Sequence, residues 1–215
     1  MNDGTRPMAA ARLVFLSALL VLGMVPHRAF ALSASGVDAV RGFYATLLST
    51  MKNGPALGES GRYAELEPVV RETFDLPLMS QLAVGPAWAG LTDARRRQVI
   101  DAFGRYISAT YADRFDSYSG EQLQVASEQP VAAGIVVHSR IVKANGEPVN
   151  IDYLMRQNGG RWQISDVYLD GTISQLSTQR SEFAAILQNR GIEGLISTLN
   201  RKAELLAATR IAPQS

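Results

Sequence analysis

Apolar side chains recur at helical spacing over two long stretches of this chain. From Val37 to Met51 they fall every three or four residues, which predicts a helix with one broad apolar stripe. Thr92 is a suitable N-cap for a longer helix, which we expect to run to about Tyr118. Its apolar positions repeat every four residues, so one face should be buried: Val99, Phe103, Ile107, Tyr111 and Phe115.

The remaining helical signals are shorter. Residues 53–61 are rich in glycine and predict a loop, and a short helix is expected after it, up to Phe74. Asp75 can cap another short helix. Near the end of the chain, apolar residues from Leu176 to Leu187 predict a helix that stops at Gly191, with a last helix beyond it.

After Gly120 the apolar period changes to two, which is typical of strands. The predicted strands lie near residues 122–128, 133–143, 147–157 and 161–170. Turns at Ala144-Asn145-Gly146 and Asn158-Gly159 are antiparallel hairpin signals. The pattern predicts an α+β fold in which an antiparallel four-stranded sheet is covered by helices, and it does not distinguish a filled core from an apolar cavity.

The turn lengths also predict the strand register. A turn at 144–146 pairs Lys143 with Glu147, Ile141 with Val149, Val137 with Tyr153 and Ile135 with Met155. A turn at 158–159 pairs Met155 with Trp162 and Tyr153 with Ile164. Both choices collect the apolar side chains on one face, which should pack against the helices.

The first 31 residues have the features of a signal peptide. Arg6 and Arg12 precede the apolar run Leu13–Val25, and Ala29-Phe30-Ala31 supplies the small residues that signal peptidase reads. We expect cleavage after Ala31 and a single domain over residues 32–215. The chain has no cysteine, so its core must hold the fold without disulfides. Its charge is close to balanced, which argues against nucleic-acid binding.

Few residues could support catalysis. His138 is the only histidine after the signal, so a histidine-rich metal site is excluded, and we expect no cofactor and no metal. In the predicted register Asp152 lies between His138 and Ser165, whereas a nucleophilic triad needs the histidine in the middle. An exposed cross-strand pair of His138 and Asp152 explains these residues better.

Asp166 is the other candidate. Strand alternation places it on the apolar face, where a carboxylate without a partner is costly. It could serve as a general base in an isomerase-like pocket, or it could accept hydrogen bonds from backbone N–H groups where the strand bends.

Several short motifs, taken in order, resemble the periplasmic Mla-type phospholipid-binding family, also called the toluene-tolerance family. They are Phe74-Asp75-Leu76-Pro77-Leu78-Met79, Gly85-Pro86-Ala87-Trp88, Leu91-Thr92, Thr110-Tyr111-Ala112, Ile151-Asp152-Tyr153-Leu154, Trp162-Gln163-Ile164-Ser165-Asp166-Val167, Gly171-Thr172-Ile173-Ser174 and Gly191-Ile192-Glu193-Gly194-Leu195, with Phe103, Arg180 and Phe183 between them. The resemblance covers nearly the whole chain after the signal.

This resemblance implies a periplasmic shuttle that holds lipid tails in a deep apolar cavity. It implies exchange of lipid with an inner-membrane ABC transporter complex and an outer-membrane partner, and a structural role for Asp166. Some related proteins accompany hopanoid synthesis, so the cargo stays open between a phospholipid and a hopanoid.

We therefore expect a lipid carrier and no catalytic residue. The predicted lipid-binding residues are Leu47, Met51, Met79, Phe103, Ile107, Tyr111, Tyr153, Met155, Trp162 and Ile164. Two alternatives remain: a pocket enzyme that uses Asp166, and an adaptor with a solid core that only docks onto a transporter.

Overall fold

The computed structural model describes residues 35–208, so the predicted signal peptide and its cleavage site lie outside the described residues. The helices are α1 (Gly36–Lys52), α2 (Gly54–Thr73), α3 (Leu76–Val84), a 3-10 helix (Gly85–Gly90), α4 (Asp93–Arg114) and α5 (Gln175–Ala208). The strands are β1 (Gln122–Val131), β2 (Gly134–Val142), β3 (Pro148–Asn158), β4 (Arg161–Leu169) and β5 (Ile173–Ser174). The α+β class is confirmed.

The predicted helix starts are confirmed by their caps. The Asp75 carboxylate accepts a hydrogen bond from the Leu78 amide at 3.1 Å, and the Thr92 hydroxyl accepts one from the Arg95 amide at 3.3 Å. The end of α4 was predicted too late. The helix ends at Arg114, and the chain then passes so close to Gly54 that an added Cβ there would collide with the Asp116 carbonyl.

The predicted loop over residues 53–61 is wrong. Helix α2 begins at Gly54, with Pro55 in its first turn, and is interrupted only at Gly58, whose φ is 61°. Glycine at this position therefore makes a local break in a helix rather than a loop. Gly191 has the same φ of 61° and divides α5, as its predicted role as a helix stop requires.

The sheet has five strands rather than the four predicted, in the order β1-β2-β3-β4-β5. The fifth has only two residues and pairs with the end of β4, so it is too short to show a period of two. The segment just before α3 also contacts β4. Phe74 forms a parallel bridge with Ile164 there, and the Asp75 amide donates to the Ile164 carbonyl at 2.9 Å.

The predicted register is confirmed for the β2–β3 hairpin and wrong for β3–β4. Ile141 lies opposite Val149, Val137 opposite Tyr153 and Ile135 opposite Met155. The next turn uses Gly159 and Gly160, both with positive φ, rather than 158–159, so Gln157 instead of Met155 pairs with Trp162.

A bulge then changes the register within β4. Leu154 pairs with Asp166 but its neighbour Met155 pairs with Ile164, which leaves Ser165 as an extra residue. Tyr153 consequently faces Val167 and not Ile164. The bulge also reverses the side on which Asp166 lies, because side chains alternate across a strand.

One face of the sheet carries the core. The buried residues of β2 and β3 all share this face: Ile135, Val137, Ser139, Ile141, Ile151, Tyr153 and Met155. Helix α1 approaches it so closely that a Cβ on Gly36 would meet Ile135 and Val137. Within residues 35–208 every helix is too short or too polar to cross a membrane.

Candidate functional site

Nine of the ten predicted lipid-binding residues come together between the helices and the inner face of the sheet. All but Met51 belong to one continuous apolar cluster, and Met51 is buried outside it. The contributing elements are α1 (Leu47, Met51), α3 (Met79), α4 (Phe103, Ile107, Tyr111), β3 (Tyr153, Met155) and β4 (Trp162, Ile164). Their shared location is established, and their contact with a lipid stays a prediction.

Aromatic rings connect α1 and α4 across this cluster. The ring centroids of Phe43 and Tyr111 are 5.1 Å apart at an interplanar angle of 89°. Phe74 lies 5.8 Å from Tyr111 on one side, and Phe115 stacks on it at 5.8 Å. Phe43 and Phe74 were not among the predicted site residues, although both lie on apolar stripes of the sequence.

Tyr111 combines two properties that distinguish it from ordinary core residues. The residue is partly exposed. Burial is nevertheless the largest cause that raises the pKa of its phenol, and the neighbouring Tyr44 is the next. Tyr111 therefore lies at the margin of the apolar cluster, and its contact with a lipid stays a prediction.

Hydroxyl groups meet inside the otherwise apolar cluster. The Tyr44 and Ser139 hydroxyl oxygens are 2.8 Å apart, and the Tyr153 hydroxyl donates to Tyr44 at 3.3 Å. Burial raises the pKa of the Tyr44 phenol, and it raises the pKa of the Tyr153 phenol well above the ordinary value. The neighbouring Tyr111 is the second cause of the Tyr153 shift. We call Tyr44, Tyr111, Ser139 and Tyr153 the hydroxyl chain.

Two members of the hydroxyl chain, Tyr44 and Ser139, were not among the predicted site residues. Tyr44 lies on the apolar stripe of α1, and Ser139 occupies an inward position of β2 between Val137 and Ile141. A serine at an inward strand position needs a hydrogen-bond partner, because an unpaired buried hydroxyl is costly. That position was the signal that could have revealed it.

Asp166 is held by backbone and side-chain donors rather than poised for catalysis. One of its oxygens accepts from the amides of Val167 and Leu176 at 2.7 and 3.1 Å. The other accepts from the Ser174 hydroxyl at 2.6 Å. Because of the bulge at Ser165, it pairs with the outward Leu154, and its predicted inward position is wrong. The structural interpretation of Asp166 is confirmed.

The His138–Asp152 pair lies on the opposite face of the sheet. His138 Nδ1 is 2.9 Å from Asp152 Oδ1, and 40% of the histidine side chain is exposed. Asp152 lies opposite Tyr168 and not Ser165, whose hydroxyl donates instead to the Leu154 carbonyl at 3.1 Å. The pair is therefore the exposed cross-strand contact that the sequence predicted.

A groove of about 630 Å³ lies beside this pair. Its walls include Gln124, Arg140, Asn150 and Asp170, and Arg140 donates to Gln124 at 2.7 Å. The groove has a mixed polar and apolar lining and lies on the sheet face opposite the apolar cluster, so it is not the predicted apolar pocket. In the part of the chain that the structure describes, no group of three or more histidine, aspartate or glutamate side chains could hold a metal.

A solved structure of another protein is similar to this chain over most of its length. A phospholipid-binding protein from Ralstonia solanacearum, solved in complex with a phospholipid, shares the fold with a TM-score of 0.67 and 25% sequence identity. The similarity covers 81% of this chain and 99% of that one.

An intermembrane phospholipid transport system binding protein from Haemophilus influenzae is 26% identical over 125 residues. This match covers 56% of the present chain and 58% of the relative, so it spans less than two thirds of the relative's length. The MlaC protein family model matches residues 42–201, from within α1 to within α5. The chain belongs to the MlaC protein family.

Proposed function

We propose that this protein is a periplasmic carrier that binds a phospholipid between its helices and the inner face of its sheet. It takes the lipid from one membrane and releases it at another. A hopanoid is the alternative cargo. The observation that carries the proposal is the protein of similar fold from Ralstonia solanacearum that was solved with a phospholipid bound.

The interior of the chain suits lipid tails. Helices α1 and α4 meet across rings rather than charged groups, and β3 and β4 add Met155 and Ile164, both fully buried. Transfer of an acyl chain into such surroundings contributes roughly 0.8 kcal/mol for each buried CH₂ group. Binding of this strength needs no catalytic group, which agrees with a carrier that performs no chemistry.

The proposal also assigns a location and partners. The predicted signal peptide over residues 1–31 would export the domain of residues 32–215 to the periplasm. There it would exchange lipid with an inner-membrane ABC transporter complex and an outer-membrane partner. A relative that is a binding protein of an intermembrane phospholipid transport system supports this assignment.

The pocket enzyme is disfavoured by the surroundings of Asp166. Both carboxylate oxygens already accept hydrogen bonds, and Leu176 and Ser174 hold them toward α5. A general base must instead reach a substrate proton.

The transporter adaptor differs from the carrier only in having no lipid in its interior, so a transfer experiment separates the two.

Transfer between vesicles tests the carrier directly. Donor vesicles holding a fluorescent phospholipid and acceptor vesicles without it are placed on opposite sides of a membrane that passes the protein but not the vesicles. Protein of residues 32–215 should speed the appearance of label in the acceptor in proportion to its concentration. No acceleration by folded protein would contradict the proposal, and faster transfer of a labelled hopanoid would change the cargo.

A further inference from the structure

The groove beside His138 and Asp152, which we call the outer groove, has an irregular backbone on both sides. Its volume of about 630 Å³ falls within the roughly 300–1,000 Å³ of small-ligand pockets. On one side β1 bulges between Val125 and Glu128. On the other side stands Asp170, whose φ of 49° is the only positive value among the non-glycine residues that the structure describes. Bulges and backbone outliers of this kind are common beside ligand sites, so the outer groove is a candidate for one.

Arg140 presents a positive charge to the outer groove. Its Nε donates to the Gln124 side chain at 2.7 Å, which fixes the guanidinium and leaves its two terminal NH₂ groups without an acceptor in the described part of the chain. Arg140 takes part in none of the salt bridges within residues 35–208. Two terminal NH₂ groups in one plane match two oxygens of a carboxylate or a phosphate. This side of the outer groove therefore fits an anionic group.

His138 and the turn after β4 present hydrogen-bond acceptors instead. A carboxylate only accepts, so His138 Nδ1 donates to Asp152 Oδ1 at 2.9 Å, and Nε2 of the neutral ring is left as an acceptor. The other oxygen of Asp152 faces the turn, because it lies 3.7 Å from where a Cβ on Gly171 would stand. The exposed Asp170 lines the groove in the same turn. A primary ammonium has three N–H donors, and these three side chains supply an acceptor for each.

The register of the sheet sets the separation between the two sides. Arg140 lies opposite Asn150, and Asp170 donates its amide to the Asn150 carbonyl at 3.0 Å from the other side. Arg140 and Asp170 therefore flank β3, with backbones about 10 Å apart, which is two strand spacings. A simple anion would meet two carboxylates here, and a simple cation would meet the guanidinium. A zwitterion with a short link between its charges satisfies both sides.

The sheet separates the outer groove from the apolar cluster. His138 and Arg140 alternate along β2 with Val137 and Ile141, whose buried side chains belong to the cluster. A group bound in the outer groove therefore belongs to a different molecule from a lipid held inside the protein.

We propose that the outer groove binds a phosphoethanolamine group, with the phosphate against Arg140 and the primary ammonium against the three acceptors across β3. This inference rests on the proposed function in the choice of phosphate over carboxylate, because a carrier that visits membranes meets phospholipid headgroups. The group comes from a phospholipid at a membrane surface or from a soluble compound, and both present the same chemistry to the groove.

Titration with soluble probes, followed by the backbone amide chemical shifts of the protein of residues 32–215, tests the inference. Phosphoethanolamine should bind about tenfold more tightly than phosphocholine, whose quaternary ammonium has the same charge but no N–H donor. Arg140→Gln and Asp170→Asn should each weaken phosphoethanolamine binding by about tenfold. Asparagine also tolerates a positive φ, so the turn keeps its shape in the second variant. Arg156→Gln, at an exposed arginine of β3 outside the outer groove, is the matched control and should bind as before.

Vesicles distinguish the two sources of the group. Protein that floats with vesicles of phosphatidylethanolamine and phosphatidylcholine, but not with phosphatidylcholine alone, binds the headgroup at a membrane, and Arg140→Gln should abolish this flotation. Protein that binds soluble phosphoethanolamine and floats with neither kind of vesicle takes the group from a soluble compound.

Three results would overturn the inference: no binding of phosphoethanolamine, equal affinity for phosphocholine, or tighter binding of β-alanine, the carboxylate with the same two-carbon link. Full affinity for phosphoethanolamine in both Arg140→Gln and Asp170→Asn would do so as well. Transfer of fluorescent phospholipid between vesicles, measured on the same preparations, reports on the carrier separately. Continued transfer without phosphoethanolamine binding would remove this inference and leave the proposed function standing.

Discussion

The carboxylate of Asp166 accepts a hydrogen bond from the backbone amide of Leu176 at 3.1 Å and so joins β4 to the first turn of α5. The same carboxylate binds the Ser174 hydroxyl, which in turn accepts from the Ser177 amide at 2.9 Å. Amides in the first turn of a helix have no partner within the helix, so these oxygens provide them. Asp166 therefore fixes where α5 begins relative to the sheet.

Substitution of Asp166 should weaken the fold without abolishing lipid binding. Asp166→Ala leaves the Leu176 amide and the Ser174 hydroxyl without their acceptor and should cost about 2 kcal/mol of unfolding free energy. Asp170→Asn, at an exposed carboxylate by the same turn, should cost little. Urea unfolding measures both changes. A fully stable Asp166→Ala protein that loses all transfer activity would instead point to a direct functional role.

Alkaline pH should destabilise the protein through its buried tyrosines. Burial raises the pKa of Tyr153 above that of an unfolded tyrosine, which is about 10. The contribution of Tyr153 to the unfolding free energy is fully present below pH 10. Above pH 10 the unfolded chain loses the phenol proton while the folded chain keeps it. The unfolding free energy therefore falls by about 1.4 kcal/mol per pH unit for each such tyrosine.

Tyr153→Phe isolates this effect from other groups. Its unfolding free energy, measured in urea between pH 9 and 11.5, should fall less steeply with pH than that of the unchanged chain, by about 1.4 kcal/mol per unit. Tyr63 has a pKa of about 12, raised by burial and by Glu67, and it continues to titrate in both proteins. Identical slopes would show that the Tyr153 phenol ionises equally in the folded and unfolded chains.

A charge placed in the apolar cluster should expel the lipid. Ile107 is 6% exposed on the inner side of α4, and Ile107→Glu would place a carboxylate beside the acyl chains. Leu82→Glu is the control, since Leu82 is 43% exposed on α3. Lipid retained per folded molecule, with folding followed by circular dichroism, should be lost only in Ile107→Glu. Met155→Glu should behave likewise, and normal retention by either folded variant would refute the pocket assignment.

The parts of the fold that local patterns determine were predictable. Helices α1 and α4 follow from apolar periodicity and from the Thr92 cap, and the β2–β3 register follows from a three-residue turn at 144–146. The β3–β4 register could not be predicted, because Asn158-Gly159 and Gly159-Gly160 are both acceptable turns, and each fixes a different pairing.

The remaining features depend on contacts between distant parts of the chain. The bulge at Ser165 accompanies the hydrogen bonds from Asp166 to Ser174 and Leu176, and β5 is too short to show a period. The apolar site residues were predictable from periodicity. The hydroxyl chain was not, because it joins residues from α1, α4, β2 and β3 whose meeting no single pattern indicates.

Analysis of the lipid that accompanies the protein tests the central claim most directly. Protein of residues 32–215, exported from cells and purified without detergent, is extracted with organic solvent, and the extract is quantified by mass spectrometry. A carrier should yield close to one phospholipid per protein molecule, and Ile107→Glu purified in parallel should yield almost none. Folded protein that carries no phospholipid or hopanoid, and takes up none from vesicles, would contradict the account.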